Sequence, residues 1–179
     1  MQHLLRDGRY GRARVTELGR LLARYEAQPG RLLADRGARA VAERIGHLKR
    51  KLAGAIGEVR ACSGCAKGCA TPNGFFDGGR CCGTPTLDVF TQPEVRAIKL
   101  AGGTIPARPA EDGHDDAGCL FRGRTGCALP AELRPSKCLI YLCHELRHEL
   151  EEDPERFERI QRVRAELDDT FARFVDLTR

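Results

Sequence analysis

The sequence is poor in aromatic residues: it contains no Trp, and aromatic residues make up 6% of its 179 positions. Because aromatic side chains bury the largest areas, we expect a core built mostly of Leu, Val, Ile and Ala. Long hydrophobic runs are also missing. The longest, CLIYLC at residues 138–143, is far shorter than the roughly 20 apolar residues that a membrane-spanning helix requires. The composition therefore excludes a membrane-spanning protein and predicts an apolar core of limited size.

Features of secretion and of several enzyme classes are missing as well. The start, MQHLLRDGRYGRARV, has no apolar segment of the kind that directs secretion, so we expect a cytoplasmic protein. Thiols stay reduced in that compartment, where clustered cysteines more often bind metal than form disulfides. No Gly-rich phosphate loop and no Ser, His and Asp arrangement is recognisable. We therefore expect no catalytic activity from the chain on its own.

The length fits a single domain, residues 1–179, in which three segments differ in character. Residues 1–61 carry 14 basic and 6 acidic side chains, and their helical periodicity predicts a helical hairpin. Residues 62–143 hold the cysteines and much of the Gly and Pro. Residues 144–179 carry 11 acidic and 7 basic side chains and are helical again. The prediction is a mainly α fold, in which the N-terminal hairpin and a C-terminal helix brace an irregular, cysteine-rich metal-binding centre.

Apolar residues at three- and four-residue intervals define the predicted helices. We expect a helix break at Asp153-Pro154, a short helix that starts at TQPE (residues 91–94), and its end at Gly102-Gly103. The acidic C-terminal helix should pack on the basic N-terminal pair. The predicted stripes are Val15, Leu18, Leu22 and Tyr25; Val41, Ile45, Leu48, Leu52, Ile56 and Val59; and Phe157, Ile160, Val163, Leu167, Phe171 and Phe174.

Nine cysteines form two groups between residues 62 and 143. A C-x-x-C pair can reach one ion because the turn between the two thiols directs both inward. Neighbouring glycines, among them Gly64, Gly68 and Gly126, allow backbone N–H groups to approach sulfur. The pattern predicts metal binding by thiolates. The candidate ligands are Cys62, Cys65, Cys69, Cys81 and Cys82 in the first group, and Cys119, Cys127, Cys138 and Cys143 in the second.

The spacing favours an iron–sulfur cluster slightly over zinc. Three thiols between Cys62 and Cys69, joined by a distant fourth, suit an iron–sulfur cluster. Zinc more often takes two C-x-x-C pairs, and the second group has none, yet irregular Cys₄ zinc sites are common. The adjacent Cys81 and Cys82 fit a single ion poorly, because successive side chains diverge. They could serve two neighbouring metals, or one of them could be a spectator.

The order CxxC…C…CC, then C…C…RPxxC…C, resembles the CxxCxxCC cysteine-cluster family of bacterial proteins, often called YkgJ-like. The match covers residues 62–143, and RPSKC at residues 134–138 is its sharpest element. The resemblance implies zinc or iron binding by Cys62, Cys65, Cys69, Cys82, Cys119, Cys127, Cys138 and Cys143. Two departures stand out: eleven residues separate Cys69 from Cys81, and Ala128-Leu129 replaces the family's Ile-Tyr. The first leaves open which of Cys69, Cys81 and Cys82 bind.

HELRH at residues 144–148 spells the H-E-x-x-H motif of zinc peptidases. On a helix, His144 and His148 lie one turn apart, with Glu166 as a conceivable third ligand. The charged neighbours of these histidines argue against the buried helix of a peptidase, and a strand that could align a substrate is not recognisable. We interpret the match as incidental. His144, which follows Cys143, stays open as a further metal ligand in a mixed Cys and His site, as a hydrogen-bond partner of a bound thiolate, or as an ordinary surface side chain.

Three functional hypotheses follow. The first, and preferred, is a structural or electron-carrying metal module; the second is a cluster-dependent transferase resembling flagellin lysine methylases, which carry a related cysteine cluster. The third is thiol redox chemistry or metal delivery through Cys81-Cys82. An unidentified protein partner stays open, while dispersed basic charge and few aromatics disfavour nucleic acid. Because a loop-rich centre cannot hold together alone, we expect metal binding and folding to be linked.

Overall fold

The computed structural model describes residues 2–57, 84–108, 110, 119–123 and 126–179. Within these ranges it contains eight α-helices and little strand, so the prediction of a mainly α fold is confirmed. A single turn of 3₁₀ helix, Ala131–Leu133, precedes α6. The helices are α1 (Gln2–Glu26), α2 (Gly30–Leu33), α3 (Arg36–Ile56), α4 (Thr86–Val89), α5 (Gln92–Leu100), α6 (Ser136–Ile140), α7 (His144–Glu151) and α8 (Pro154–Leu177); the strands are β1 (Arg122–Gly123) and β2 (Gly126–Cys127).

Helices α3 and α8 pack along each other and form most of one core, here called the main cluster. Side-chain caps define both starts: Asp35 accepts a hydrogen bond from Ala38 N, and Asp153 accepts one from Arg156 N, each at 3.0 Å. The predicted break at Asp153-Pro154 is thereby confirmed. The buried members of the main cluster are Ala38, Ala42, Ile45, Leu48, Leu52, Ala97, Leu100, Leu139, Leu146, Leu150, Ile160, Val163, Leu167 and Phe174.

Helix α1 contributes to a second core, here called the ribbon cluster. Leu18 and Leu21 are buried in it, and Leu22 and Tyr25 are partly buried against it. The prediction for Val15 is wrong, because its side chain is 69% exposed. The stripe instead begins one turn later and includes Leu21. The buried members of the ribbon cluster are Leu18, Leu21, Val89, Phe90, Val95, Ile98, Ile105, Leu120, Phe121 and Leu129.

Helix α5 belongs to both cores. Val95 and Ile98 are members of the ribbon cluster, whereas Ala97 and Leu100 are members of the main cluster. The predicted start after Thr91 is confirmed, although the Thr91 side chain makes no capping hydrogen bond. Because α5 contributes buried residues to both clusters, its polar side chains can lie between them.

Two successive glycines end α5 as the sequence predicts. Gly102 has a φ of 76°, a conformation that L side chains rarely adopt. Gly102 N donates to Lys99 O at 3.0 Å, and Gly103 N donates to Ile98 O at 2.9 Å. This pair of bonds is the Schellman ending of a helix, which satisfies carbonyls that the helix itself leaves unpaired.

Charges join α3 to α8, so the expected packing of the acidic C-terminal helix is confirmed for the second of the two N-terminal helices. Arg44 on α3 forms an ion pair with Glu166 on α8. Arg156 donates to the carbonyls of Ala55, at 3.2 Å, and Ile56 at the C-terminal end of α3. The described contacts of α1 are chiefly with α4 and α5, so the two N-terminal helices pack on different clusters rather than mainly on each other.

The two hydrophobic clusters narrow the predicted link between metal binding and folding. The sequence predicts that metal binding and folding are linked, but the described residues bury two hydrophobic clusters of their own. Linkage between metal and folding is therefore expected for the cysteine-bearing segments, not for the α3–α8 pair. None of the helices in the described ranges is long and apolar enough to span a bilayer.

Candidate metal centre

Cys119 lies three residues before the two-stranded ribbon, and Cys127 is the last residue of its second strand. The antiparallel register pairs Arg122 with Cys127 and Gly123 with Gly126. Arg122 N donates to Cys119 O at 3.3 Å, which closes a turn and keeps Cys119 beside β1. Both cysteines are partly buried against the ribbon cluster. They therefore share one local support at the edge of that cluster.

The ribbon is anchored by apolar side chains and by one hydroxyl. Leu120 and Phe121 are 0% and 1% exposed, and the Phe121 ring packs edge-on against Phe90 with 5.6 Å between centroids. Leu120 N donates to Thr86 Oγ1 at 2.9 Å. Ala128 N donates to Phe121 O at 2.9 Å and extends the ribbon past Cys127. These contacts hold Leu120 and Phe121, which follow Cys119, and Ala128, which follows Cys127.

Gly126, next to Cys127, has a structural reason to be glycine. Its φ is 146°, a conformation that L side chains rarely adopt. A Cβ at this position would meet no heavy atom within 4 Å, so the restriction comes from the backbone and not from crowding. The glycine therefore allows β2 to bring Cys127 opposite Arg122.

Cys138 lies on α6, the helix formed by the end of the RPSKC segment. Arg134 Nε donates to Leu129 O at 2.8 Å, and Cys138 N donates to Pro135 O at 2.9 Å. Leu139 is buried in the main cluster, whereas Cys138 is exposed. The short helix thus turns Leu139 towards the core and leaves Cys138 at the surface.

Cys143 is the N-terminal cap of α7. Its Sγ accepts a hydrogen bond from Leu146 N at 3.4 Å, and the residue is partly buried against the main cluster. The N-terminus of a helix stabilises negative charge, and an N–H bond to sulfur favours the thiolate that binds metal. We expected glycines to provide such donors; here a helix start provides one.

The first cysteine group, Cys62, Cys65, Cys69, Cys81 and Cys82, lies outside the described residues, as does Val59. Among the residues that are described, no group of three or more His, Cys, Asp or Glu side chains is arranged to hold a metal ion. Cys119, Cys127, Cys138 and Cys143 therefore form no complete site by themselves. Their chemistry, sulfur donors alone, fits zinc or an iron–sulfur cluster better than an ion that prefers oxygen.

HELRH is helical, but its surroundings are not those of a peptidase. Leu146 and Leu150 are buried in the main cluster, whereas His148 is exposed. Arg147 pairs with Glu151 at 2.8 Å on the surface of the same helix. Glu166, the conceivable third ligand, pairs with Arg44 instead. These positions agree with the interpretation that the motif match is incidental.

A buried ion pair joins α3 to α5. Lys49 Nζ lies 2.8 Å from Glu94 Oε2, and the two side chains are 1% and 6% exposed. Glu94 Oε1 accepts a hydrogen bond from Ser136 N at 2.6 Å. One carboxylate therefore contacts both the long helix α3 and the first residue of α6. Ser136 Oγ is buried and has no hydrogen-bond partner in the described part of the chain.

This ion pair is not among the features predicted from the sequence, although the sequence contains a signal for it. Lys49 lies four residues after Ile45 and three before Leu52, on the buried stripe of α3. A charged residue inside an apolar stripe requires a buried partner, because an isolated buried charge is very unfavourable. From the sequence, Glu94 is only the last residue of the TQPE segment that starts α5. It stabilises the start of a different helix, α6.

Comparison with known protein families, curated proteins and solved structures finds no match to this chain. The likeness to the CxxCxxCC cysteine-cluster family therefore stays a prediction that depends on cysteine spacing and on the RPSKC segment.

Proposed function

We propose that the chain is a cysteine-ligated metal protein with a structural or electron-carrying role, related to the CxxCxxCC cysteine-cluster family. The observation that carries the proposal is the position of Cys143. Its sulfur accepts a backbone hydrogen bond at the start of α7, an arrangement that stabilises a thiolate. Cys138 lies five residues earlier on α6, and Cys119 and Cys127 share the ribbon.

The elements that hold these cysteines favour metal binding over a role as buried apolar side chains. Each is attached to a short element held by hydrogen bonds or buried neighbours, so less chain entropy is lost on metal binding than for cysteines in unsupported loops. The first cysteine group supplies the thiols that the described part of the chain does not. In this proposal, thiolates from both groups bind the same metal centre, with an iron–sulfur cluster preferred over zinc. A backbone N–H bond to sulfur is one of the means by which a protein sets the reduction potential of such a cluster.

The expected surroundings of the protein follow from this chemistry. Thiolate ligands persist in a reducing compartment, so we place the chain in the cytoplasm. An electron carrier exchanges electrons with a partner, so a protein partner is expected for that form of the proposal, whereas nucleic acid is not expected for either form. No catalytic residues are assigned.

The deciding experiment is anaerobic purification followed by analysis of iron, zinc and acid-labile sulfide and by a visible absorption spectrum. A brown protein that contains iron and sulfide supports the preferred form of the proposal. A colourless protein with stoichiometric zinc supports the other form and an inert structural role. A protein that contains neither metal, and takes up neither on reconstitution, contradicts the proposal.

Single substitutions then test the ligands. Cys127→Ser, Cys138→Ser and Cys143→Ser are each expected to lower the bound metal, because a serine hydroxyl is a poor ligand for zinc or iron at neutral pH. His148→Ala is the matched control, since His148 is exposed on the same helix that Cys143 caps. Metal content that falls in the control as much as in the cysteine variants would reopen the mixed Cys and His site.

A further inference from the structure

We infer that the buried Lys49–Glu94 pair positions Cys138 for metal binding, with Glu94 acting through the backbone N–H of Ser136. The inference rests on the proposed function, because it concerns one ligand of the same metal centre. It assigns Lys49 and Glu94 a positioning role, not contact with the metal. The first observation is their burial, with Nζ and Oε2 at 2.8 Å.

A buried ion pair is weak evidence for a role in stability alone. Taking two charges out of water is unfavourable, and replacing such a pair by apolar side chains of similar volume is often neutral or stabilising. The feature to be explained is therefore geometric. The Lys49 side chain, 1% exposed, places a positive charge beside a buried carboxylate, whose burial without a partner would be unfavourable.

The geometry connects the pair to Cys138. Glu94 Oε1 lies 2.6 Å from Ser136 N, the first N–H of α6, and Cys138 lies two residues farther on. Helix α6 has five residues, far below the length at which a helix is stable by itself. Its orientation must therefore come from outside contacts, and a charged acceptor makes the strongest kind of hydrogen bond to an N–H.

The hydrogen bond from Ser136 N to Glu94 has a role that two other contacts of the RPSKC segment do not share. Arg134 Nε is bound to Leu129 O and fixes the chain before the helix, while Leu139 is buried and fixes its middle. Neither contact sets the direction of the first turn. Glu94 does so, because its other oxygen is fixed by Lys49 on the long helix α3. The ion pair thereby connects α3, a helix of the main cluster, to the helix that carries Cys138, a proposed metal ligand.

Two double variants separate this role from a general effect on folding. Lys49→Met with Glu94→Gln removes both charges but keeps a side-chain oxygen for Ser136 N. Lys49→Met with Glu94→Met removes the same charges and the acceptor as well. Ser136→Ala is a third variant, which removes the buried hydroxyl without a partner and leaves the backbone N–H in place. Far-UV circular dichroism checks that each variant retains the helices of the wild type.

The measurement is the alkylation rate of Cys138 in anaerobically purified full-length protein, followed by peptide mass spectrometry, together with the visible spectrum and the metal content. Loss of a group that orients a metal ligand typically weakens metal binding about tenfold to a hundredfold. We expect the Met/Met variant to show Cys138 alkylated about tenfold faster than in the wild type, with a changed spectrum. The Met/Gln and Ser136→Ala variants should resemble the wild type.

The outcomes distinguish this inference from the proposed function. If the wild type binds metal and the Met/Met variant shows the same Cys138 reactivity and spectrum, the inference is overturned while the proposed function stands. If Ser136→Ala increases the reactivity as much as Met/Met does, the hydroxyl positions Cys138 and the inference is again overturned. If the wild type binds no metal, both fall.

Discussion

Gly46, a residue of α3 without a side chain, lines a cavity of about 120 Å³ between α3, α5 and the 3₁₀ turn. A Cβ at this position would lie 3.8 Å from Glu132 Cβ, which is ordinary van der Waals contact. Alanine is about 1 kcal/mol more favourable than glycine inside a helix, so Gly46→Ala should raise the free energy of unfolding by about that amount. Urea denaturation monitored by circular dichroism measures the change.

Two other glycines serve as comparisons for Gly46. Gly54 is exposed on the same helix with open space around it, so Gly54→Ala reports helix propensity alone and should also stabilise the protein. Gly103 lines the same cavity, but a Cβ there would lie 2.7 Å from Leu133 Cδ2. Gly103→Ala should destabilise the protein by about 1–3 kcal/mol. Loss of stability in Gly46→Ala, with a gain in Gly54→Ala, would contradict the spacing at Glu132.

Among the elements, the packing of α3 on α8 contributes most to the main cluster. Leu167 is 0% exposed and lies on the α8 stripe that its sequence periodicity predicts. Leu167→Ala should lower the free energy of unfolding by about 2–5 kcal/mol, because it removes a buried side chain and leaves a cavity. Guanidinium denaturation gives the value. Val15→Ala is the control, since Val15 is 69% exposed and its truncation should change stability by less than about 0.5 kcal/mol. Equal losses in the two variants would show that burial does not explain the effect.

Ion pairs between these elements should matter less than the packing. The Arg44 and Glu166 side chains are 46% and 42% exposed, and pairs of this exposure contribute about 0–1 kcal/mol. The charge difference between the N-terminal and C-terminal segments therefore agrees with their contact but does not cause it. The apolar stripes of α3 and α8 provide the stabilisation.

Periodicity predicted the long elements because each stripe is a local property of the chain. The α8 stripe and the breaks at Asp153-Pro154 and Gly102-Gly103 follow from neighbours in sequence, and they are confirmed. The partner of Lys49 could not be predicted in this way, since Glu94 lies 45 residues away and the contact depends on how α5 packs between the two clusters. The thiolate support at Cys143 was also missed, because it depends on where α7 begins.

The candidate site shows the same division between local and tertiary information. The sequence identifies sulfur donors and groups them, and the ribbon places Cys119 and Cys127 on one support. The sequence does not show that Cys138 and Cys143 lie on separate short elements beside the main cluster. Spacing along a chain cannot specify the distance between elements that are joined by loops.

For the whole molecule, the α3–α8 pair should need no metal for its packing, whereas the cysteine-bearing ribbon and α6 should depend on it. The core between α3 and α8 consists of apolar side chains, among them Ile45, Leu52, Ile160 and Leu167. The cysteine-bearing segments are short. Metal ligation would hold them in one conformation, as a larger apolar core could otherwise do. Removal of the metal should therefore have unequal effects on the two parts.

We expect metal-free protein, prepared anaerobically with a chelator, to keep most of its far-UV helical signal and to unfold at a lower temperature. A ligand that binds only the folded state stabilises it by about 2.7 kcal/mol at a hundredfold excess over Kd. The unfolding temperature should therefore return to its original value when the metal is restored. Hydrogen exchange should then show faster exchange at the ribbon and α6 than at α3 and α8. Calorimetry with an unchanged midpoint after complete metal removal would contradict the linkage, whereas loss of all helical signal would show that the α3–α8 pair cannot fold without the metal. Exchange that accelerates equally in all helices would mean that the protein unfolds as one unit, and the division into two parts would then be wrong.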